Sequence, residues 1–214
     1  MTHDHHTVGA IHESPQPRRN RRSIRLQGYD YSQAGVYFVT ICAQNQKCLF
    51  GEIVNGEMRL NEAGRMVTDE WIKTAEIRNE IELDEWVVMP NHFHGVLVLT
   101  TTVGAIHESP LQMTVTQRRN MALPKIIGRF KMLSAKRINV LRQTPGAKLW
   151  QRSYWEHIVR NEMELNRIRE YIQNNPAQWE LDKLHPSPMY GHGAPCPNEI
   201  REPTTEYGVE AWMV

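Results

Sequence analysis

The sequence has little cysteine and no long apolar run. Its 214 residues include three cysteines, Cys42, Cys48 and Cys196, which are neither even in number for a disulfide framework nor spaced as a metal cluster. No apolar segment reaches the length of a membrane span, and the chain starts with a polar, histidine-rich stretch rather than a signal peptide. We therefore expect a cytoplasmic protein in a reducing compartment, without a membrane partner.

Acidic residues are missing from two long stretches. The formal net charge is +1, yet no Asp or Glu lies between Glu13 and Asp30 or between Glu108 and Glu156. The basic residues that we select in these stretches as contacts for a polyanion are Arg21, Arg22, Arg25, Lys125, Arg129, Lys136, Arg137 and Arg152. A solvated basic face is the simpler explanation for either stretch alone, but two in one small protein favour a polyanionic partner.

Hydrophobic periodicity predicts an α+β domain with an antiparallel sheet. Asn55-Gly56 indicates a hairpin, and the Asn161 to Glu164 spacing indicates a capped helix that ends at Pro176. The predicted elements are a strand at 35–43, hairpin strands at 49–54 and 57–60, a helix at 61–79, strands at 85–89 and 92–100, a helix at 122–143, a strand at 149–159 and a helix at 161–176. This order favours a ferredoxin-like sandwich in which helices pack on the sheet.

Composition divides the chain into a folded domain with two polar ends. We expect a flexible basic arm at residues 1–27, the domain at 28–182 and a tail at 183–214. The peptide at 7–15 recurs unchanged at 102–110, so residues 101–120 read as an inserted loop. Codons for this peptide can be chosen so that the DNA is its own reverse complement, and a recent duplication without function is the alternative explanation.

Two separated motifs carry side chains suited to chemistry. His92 and His94 project from the same side of a strand and form half of a metal site, although such pairs also arise by chance. Tyr171 and Asn175 lie one turn apart on the last predicted helix, which presents a phenol and an amide oxygen together. His157 is a further candidate that either stacks on a nucleic-acid base or has a structural role.

Several motifs resemble the REP-associated tyrosine transposases, which are single-tyrosine members of the HUH nuclease superfamily tied to repetitive extragenic palindromes. The motifs are Arg21–Tyr31, Met89–His94, Trp150–Asn161 and Ile168–Pro176. The resemblance extends over nearly all of residues 21–179 and departs from the family in the 101–120 stretch. It implies an HUH-type fold.

The resemblance also implies an activity and its residues. A divalent ion, Mg²⁺ or Mn²⁺, would be held by His92, His94 and Asn175, and Tyr171 would be the catalytic nucleophile. The protein would be a single-stranded DNA endonuclease and strand transferase that acts at palindromic repeat hairpins through a covalent 5′-phosphotyrosine, as a monomer or homodimer. The alternatives are a hairpin-binding protein that does not cut DNA and a decayed transposase.

Overall fold

Four antiparallel strands form the central sheet. The computed structural model describes residues 29–100 and 121–186. The sheet strands are β1 (Gly35–Cys42), β4 (Ile81–Val88), β5 (His92–Leu99) and β6 (Trp155–Val159), in the spatial order β4-β5-β1-β6. A separate hairpin consists of β2 (Gly51–Val54) and β3 (Glu57–Leu60). Asn55 and Gly56 turn this hairpin with positive φ angles, as a tight two-residue connection requires.

Helices cover both faces of the sheet. They are α1 (Glu62–Ile77), α2 (Ala122–Leu141) and α3 (Glu162–Asn174). From β1, Tyr37, Val39 and Ile41 enter a core cluster with side chains of α1 and α2, whereas Phe38 enters a second cluster with side chains of α3. Because both faces are buried, the two central strands are nearly continuous apolar runs.

The layer of α1 and α2 supplies most of the hydrophobic core. Asn61 caps α1, since its side-chain oxygen accepts a hydrogen bond of 3.0 Å from the Gly64 N–H. On α1, the ring of Trp71 packs 4.8 Å from that of Phe93 and 5.2 Å from that of Phe130. Aromatic rings at such distances stabilise a core through both buried area and edge contacts.

The opposite layer consists of α3, whose predicted cap is confirmed. The Asn161 side chain accepts a 2.9 Å hydrogen bond from the Glu164 N–H, and the Glu164 carboxylate accepts one of 2.6 Å from the Arg160 N–H. The first contact satisfies an N–H group that the first turn of a helix leaves unpaired, and the second ties the residue before the cap to that turn. The buried stripe of the helix then packs on Phe38 and Val96.

A bidentate ion pair holds α3 against β4. Arg169 donates from Nε and Nη2 to the two carboxylate oxygens of Asp84, at 2.9 and 2.6 Å. Hydrogen bonding from Arg169 holds the pKa of Asp84 below its ordinary value. Asp84 lies at an irregularity where β4 shifts register between Leu83 and Trp86. Because the guanidinium fork is planar and rigid, this pair defines how α3 crosses the sheet.

The predicted order of elements and the α+β class are confirmed, but two strand boundaries were wrong. β4 begins at Ile81 rather than at 85, because the alternating residues before the irregularity also pair with β5. β6 begins at Trp155 rather than at 149. Lys131 Nζ donates to the carbonyl oxygens of residues 151, 152 and 153, at 2.7, 3.1 and 3.3 Å, so these groups are not available for strand pairing.

Several predicted segments lie outside the described residues. They are the basic arm at 1–27, the inserted loop at 101–120 and most of the tail at 183–214. Among the described helices, none has the length and the hydropathy needed to span a membrane.

Alanine at two helical glycines should have opposite effects on stability. A Cβ at Gly64 would overlap the carbonyl oxygen of Phe50 and lie 2.8 Å from Leu60 Cδ2, whereas a Cβ at Gly128 would have nothing within 4 Å. Gly128→Ala should raise the free energy of unfolding by up to about 1 kcal/mol through helix propensity. Gly64→Ala should lower it by about 1–3 kcal/mol through overpacking. Urea unfolding of both variants measures this, and stabilisation by Gly64→Ala would contradict the close packing of α1.

Candidate active site

The two histidines of β5 lie side by side on the face that α3 covers. Their ring centroids are 4.6 Å apart, and both residues are buried. In the sheet, His94 lies opposite Thr40 and His92 lies opposite Cys42. The predicted same-face pair is therefore present at the end of two paired central strands, where its ring atoms have fixed positions.

A hydrogen-bond network determines the tautomer of His92. Asn91 donates from Nδ2 to the carbonyl oxygens of Leu184, at 2.7 Å, and Gln46, at 3.3 Å. The Asn91 amide oxygen must therefore be the atom that lies 2.7 Å from His92 Nδ1, and the imidazole donates to it. Because the proton is on Nδ1, Nε2 carries a lone pair into the site.

His94 is contacted by a side chain of the neighbouring strand β1. Its Nδ1 lies 2.8 Å from the hydroxyl of Thr40, and its Nε2 lies 3.3 Å from the hydroxyl of Tyr171. Phe38 stacks on the imidazole, with ring centroids 5.5 Å apart. The Thr40 hydroxyl can accept from Nδ1, and in that tautomer Nε2 accepts from the Tyr171 hydroxyl and directs its lone pair into the site.

Burial keeps both imidazoles neutral. Desolvation lowers the pKa of His92 to about 3, and the nearby Asn175 side chain offsets this only in part. Desolvation and the neighbouring His92 lower the pKa of His94, which Asp182 raises to a smaller extent. Neutral imidazole is the form that binds a metal ion, so the pair is suited to that role at neutral pH.

Tyr171 reaches the histidines from α3. Its ring centroid lies 5.2 Å from that of His94, and its ring meets Phe38 edge to face. Burial is the main cause that raises the pKa of the phenol well above its ordinary value, and the negative charge of Asp182 adds to this effect. The hydroxyl is therefore protonated at rest and must lose its proton as it reacts.

Asn175, one turn after Tyr171, is buried beside the same atoms. Its side chain is close enough to raise the pKa of His92 and to lower that of Tyr171. Among the described residues, its Oδ1 has no hydrogen-bond partner. A buried amide oxygen without a partner is unusual, and a cation in the site would satisfy it.

Asp182 is a site residue that the sequence analysis did not identify. One carboxylate oxygen, Oδ2, lies 3.6 Å from His92 Nε2, and its side chain is 6% exposed. Ligand atoms of His92, His94 and Asp182 all lie within 4.8 Å of one another. Asp182 follows α3 in a stretch without helical or strand periodicity, so no local pattern in the sequence points to it.

The predicted basic contacts are dispersed. Lys125, Arg129 and Lys136 are exposed on α2, which packs on the sheet face opposite to the histidines. Arg137, on the same helix, pairs with Glu70 at 2.7 Å and with Asp69 at 3.2 Å, so its charge is compensated within the fold. Arg152 is exposed before β6, whereas Arg21, Arg22 and Arg25 lie outside the described residues.

His157 contacts a side chain of the protein itself. Its Nε2 lies 2.8 Å from the Glu164 carboxylate, and its ring stacks on Trp155 with centroids 5.8 Å apart. This geometry favours the structural alternative, because the imidazole connects β6 to the first turn of α3.

Comparison with known proteins identifies the family. The chain is 41% identical over 172 residues to an uncharacterised protein of Haemophilus influenzae, an alignment that covers 78% of this chain and 93% of that protein. A family model described as IS200-like transposase matches residues 106–175, which include Tyr171 and Asn175. The chain belongs to the IS200-like transposase family. This confirms the family resemblance of the sequence.

Two solved structures are also similar to this transposase. A REP-associated tyrosine transposase bound to a REP hairpin is 21% identical, with coverage of 74% of each chain and a TM-score of 0.43. A candidate transposase from Deinococcus radiodurans R1 is 21% identical, with coverage of 70% of this chain and 95% of that chain and a TM-score of 0.39.

The buried histidines should make the transposase unstable in acid. Its His92 pKa of about 3 lies below the ordinary value of 6.5, so the unfolded chain binds protons that the folded chain does not. The part of the free energy of unfolding that depends on neutral His92 is fully present above pH 6.5. It is lost as the pH falls towards 3, by about 1.4 kcal/mol per pH unit. Urea unfolding between pH 7 and 5 measures this loss.

A variant isolates the contribution of one ring. His92→Gln should flatten the acid limb of the stability profile by about 1.4 kcal/mol per pH unit. The carboxylates that also titrate in acid provide a common background in both proteins. An unchanged slope in the variant would contradict the neutrality of His92 in the folded state.

Proposed function

We propose that this transposase is a single-stranded DNA endonuclease and strand transferase that acts at palindromic repeat hairpins through a covalent 5′-phosphotyrosine intermediate. The observation that carries this proposal is the Tyr171 hydroxyl, which lies 3.3 Å from Nε2 of His94 within the buried histidine pair. A phenol has no evident structural reason to meet two neutral imidazoles there, whereas a nucleophile beside ion ligands does.

The side chains of the site fit a divalent cation. His92 Nε2 and Asn175 Oδ1 are buried and have no hydrogen-bond partner among the described residues. Two imidazole nitrogens and an amide oxygen can bind Mn²⁺. They can also bind Mg²⁺ if that ion keeps several of its water ligands. We therefore assign His92, His94 and Asn175 as the residues that would hold the ion. When bound, such an ion supplies a positive charge that polarises the scissile phosphate.

The reaction of Tyr171 is a transesterification. The phenol oxygen forms a bond to phosphorus and loses its proton, while the bond from phosphorus to the 3′ oxygen breaks and that oxygen gains a proton. The 5′ phosphate remains on Tyr171, so the bond energy is retained. Attack by a 3′-hydroxyl reverses the step and joins the strand without ATP.

The α3 packing suits this chemistry. Phe38 borders both Tyr171 and His94, so the phenol lies beside an apolar wall rather than in bulk water. The bidentate contact between Arg169 and Asp84 holds the same helix two residues from the nucleophile. A pre-positioned nucleophile lowers the entropic part of the barrier.

Loss of the Tyr171 hydroxyl should abolish cleavage. Tyr171→Phe removes only the nucleophilic oxygen, so DNA binding should stay within about twofold of wild type while the covalent adduct disappears. Incubation with an end-labelled palindromic hairpin and Mn²⁺, followed by denaturing electrophoresis, measures the adduct.

Tyr29→Phe is the matched control, because the Tyr29 hydroxyl contacts Tyr37 on the opposite face of the sheet. It should cleave as the wild type does. Adduct formation by Tyr171→Phe would contradict the assignment of the nucleophile. Binding without any adduct in the wild type would instead favour a hairpin-binding protein that does not cut DNA.

The exposed basic residues of α2 should contribute to binding but not to chemistry. Arg129→Gln with Lys136→Gln should weaken hairpin binding and reduce the dependence of log K on log salt by up to about 1.4 to 1.8, because fewer counterions are released. Cleavage at saturating DNA should not change, since α2 lies on the other sheet face. Titrations at several salt concentrations test this, and an unchanged slope would show that these two side chains do not contact phosphates.

A further inference from the structure

The residues after α3 return to the histidine pair and place a carboxylate there. A short 3-10 turn, Trp179–Leu181, follows the helix, and the buried ring of Trp179 packs 6.0 Å from that of His92. Asn91 donates a 2.7 Å hydrogen bond to the Leu184 carbonyl oxygen. This segment is therefore held at Trp179 by His92 of β5 and at Leu184 by Asn91, the residue before β5, and Asp182 lies between the two contacts.

The two oxygens of Asp182 have different surroundings. Oδ1 accepts a 2.7 Å hydrogen bond from the Leu184 N–H, which orients the carboxylate. Oδ2 is buried 3.6 Å from His92 Nε2 and has no hydrogen-bond partner among the described residues. This oxygen is therefore a hydrogen-bond acceptor that faces the site without a donor.

The facing atom of His92 is also an acceptor. Its Nδ1 carries the proton, because that nitrogen donates to Asn91, whose own N–H groups are directed at two carbonyl oxygens. Nε2 therefore presents a lone pair to Asp182. Two buried lone pairs that face each other without a donor are unfavourable unless a cation lies between them.

The separation of the two atoms fits that explanation. At 3.6 Å, it is too long for a hydrogen bond. It is within the range of about 3 to 4.4 Å that separates two ligands of one octahedral ion when each lies about 2.1 to 2.2 Å from it. The unpartnered Oδ1 of Asn175 lies in the same buried site.

We propose that Asp182 is a fourth protein ligand of the divalent ion, supplied by the segment that follows the tyrosine helix. This rests on the proposed function in taking His92, His94 and Asn175 as the other ligands. Asp182 is the one anionic member of the set, so it strengthens the hold on a divalent ion by direct charge attraction. An ion held by Asp182 and the two histidines would connect the stretch after α3 to β5.

Metal titration of the wild type and three variants tests this ligand. Mn²⁺ binding is followed by the electron paramagnetic resonance signal of the free ion, without DNA. Asp182→Asn keeps the shape and removes the charge, and should weaken Mn²⁺ binding at least about tenfold, because affinity depends on the charge of the ligands. Glu180→Gln is the matched control: it makes the same change two residues away on an 85% exposed side chain and should bind as the wild type does.

The outcomes separate this inference from the proposed function. His92→Ala should lose Mn²⁺ binding, and retention of wild-type affinity by that variant would contradict the metal site as a whole. If His92→Ala loses Mn²⁺ binding while Asp182→Asn binds Mn²⁺ as tightly as the wild type, only the role of Asp182 is overturned. Equal weakening in Asp182→Asn and Glu180→Gln would likewise count against it, because the effect would then be one of general charge.

Hydrogen exchange of the wild type gives a test that needs no variant. If Asp182 binds the ion, saturating Mn²⁺ should slow exchange of the amides in residues 179–186, including the Leu184 N–H that contacts Asp182. The proposal is overturned if Mn²⁺ protects amides near His92 but leaves exchange in residues 179–186 unchanged. This outcome can be read even if Asp182→Asn is unstable.

Discussion

Two imidazole rings buried at the end of one strand are the constraint on which this site depends. A buried ring nitrogen without a partner is costly, so each Nδ1 has an oxygen beside it, from Asn91 for His92 and from Thr40 for His94. Thr40 is available because it lies opposite His94 in the sheet. With the Nδ1 atoms satisfied, Nε2 of His94 faces Tyr171 on α3 and Nε2 of His92 faces Asp182 after that helix. The chemistry of the site follows from that orientation.

The two faces of the sheet differ in the side chains that they bury. On one face, Trp71, Phe93 and Phe130 form a continuous aromatic core with α1 and α2. The other face has a smaller apolar cluster under α3, and the polar site lies next to it. Because the strands are shared, side chains that stabilise the domain and side chains that would act on DNA alternate along the same backbone. A one-residue slip of β5 would exchange the two sets.

Part of the fold could be predicted because its signals are local. The Asn55-Gly56 hairpin and the Asn161 cap depend on backbone conformations within a few residues, and both were confirmed. The start of β6 was wrong because it depends on Lys131, whose ammonium group takes three carbonyl oxygens about twenty residues further along the chain. Such a contact between distant residues leaves no periodic pattern in the sequence.

The sequence by itself determined the chemical content of the site: a strand period of two puts His92 and His94 on one side, and a helical turn puts Tyr171 beside Asn175. Only the tertiary structure decided that α3 covers the histidine face, and that Asp182 returns to His92 through the hydrogen bond between Asn91 and Leu184. It also placed the basic side chains of α2 on the opposite layer. The reason is physical: spacing along one element follows from backbone geometry, whereas the meeting of separate elements depends on how apolar faces and buried polar atoms are satisfied together.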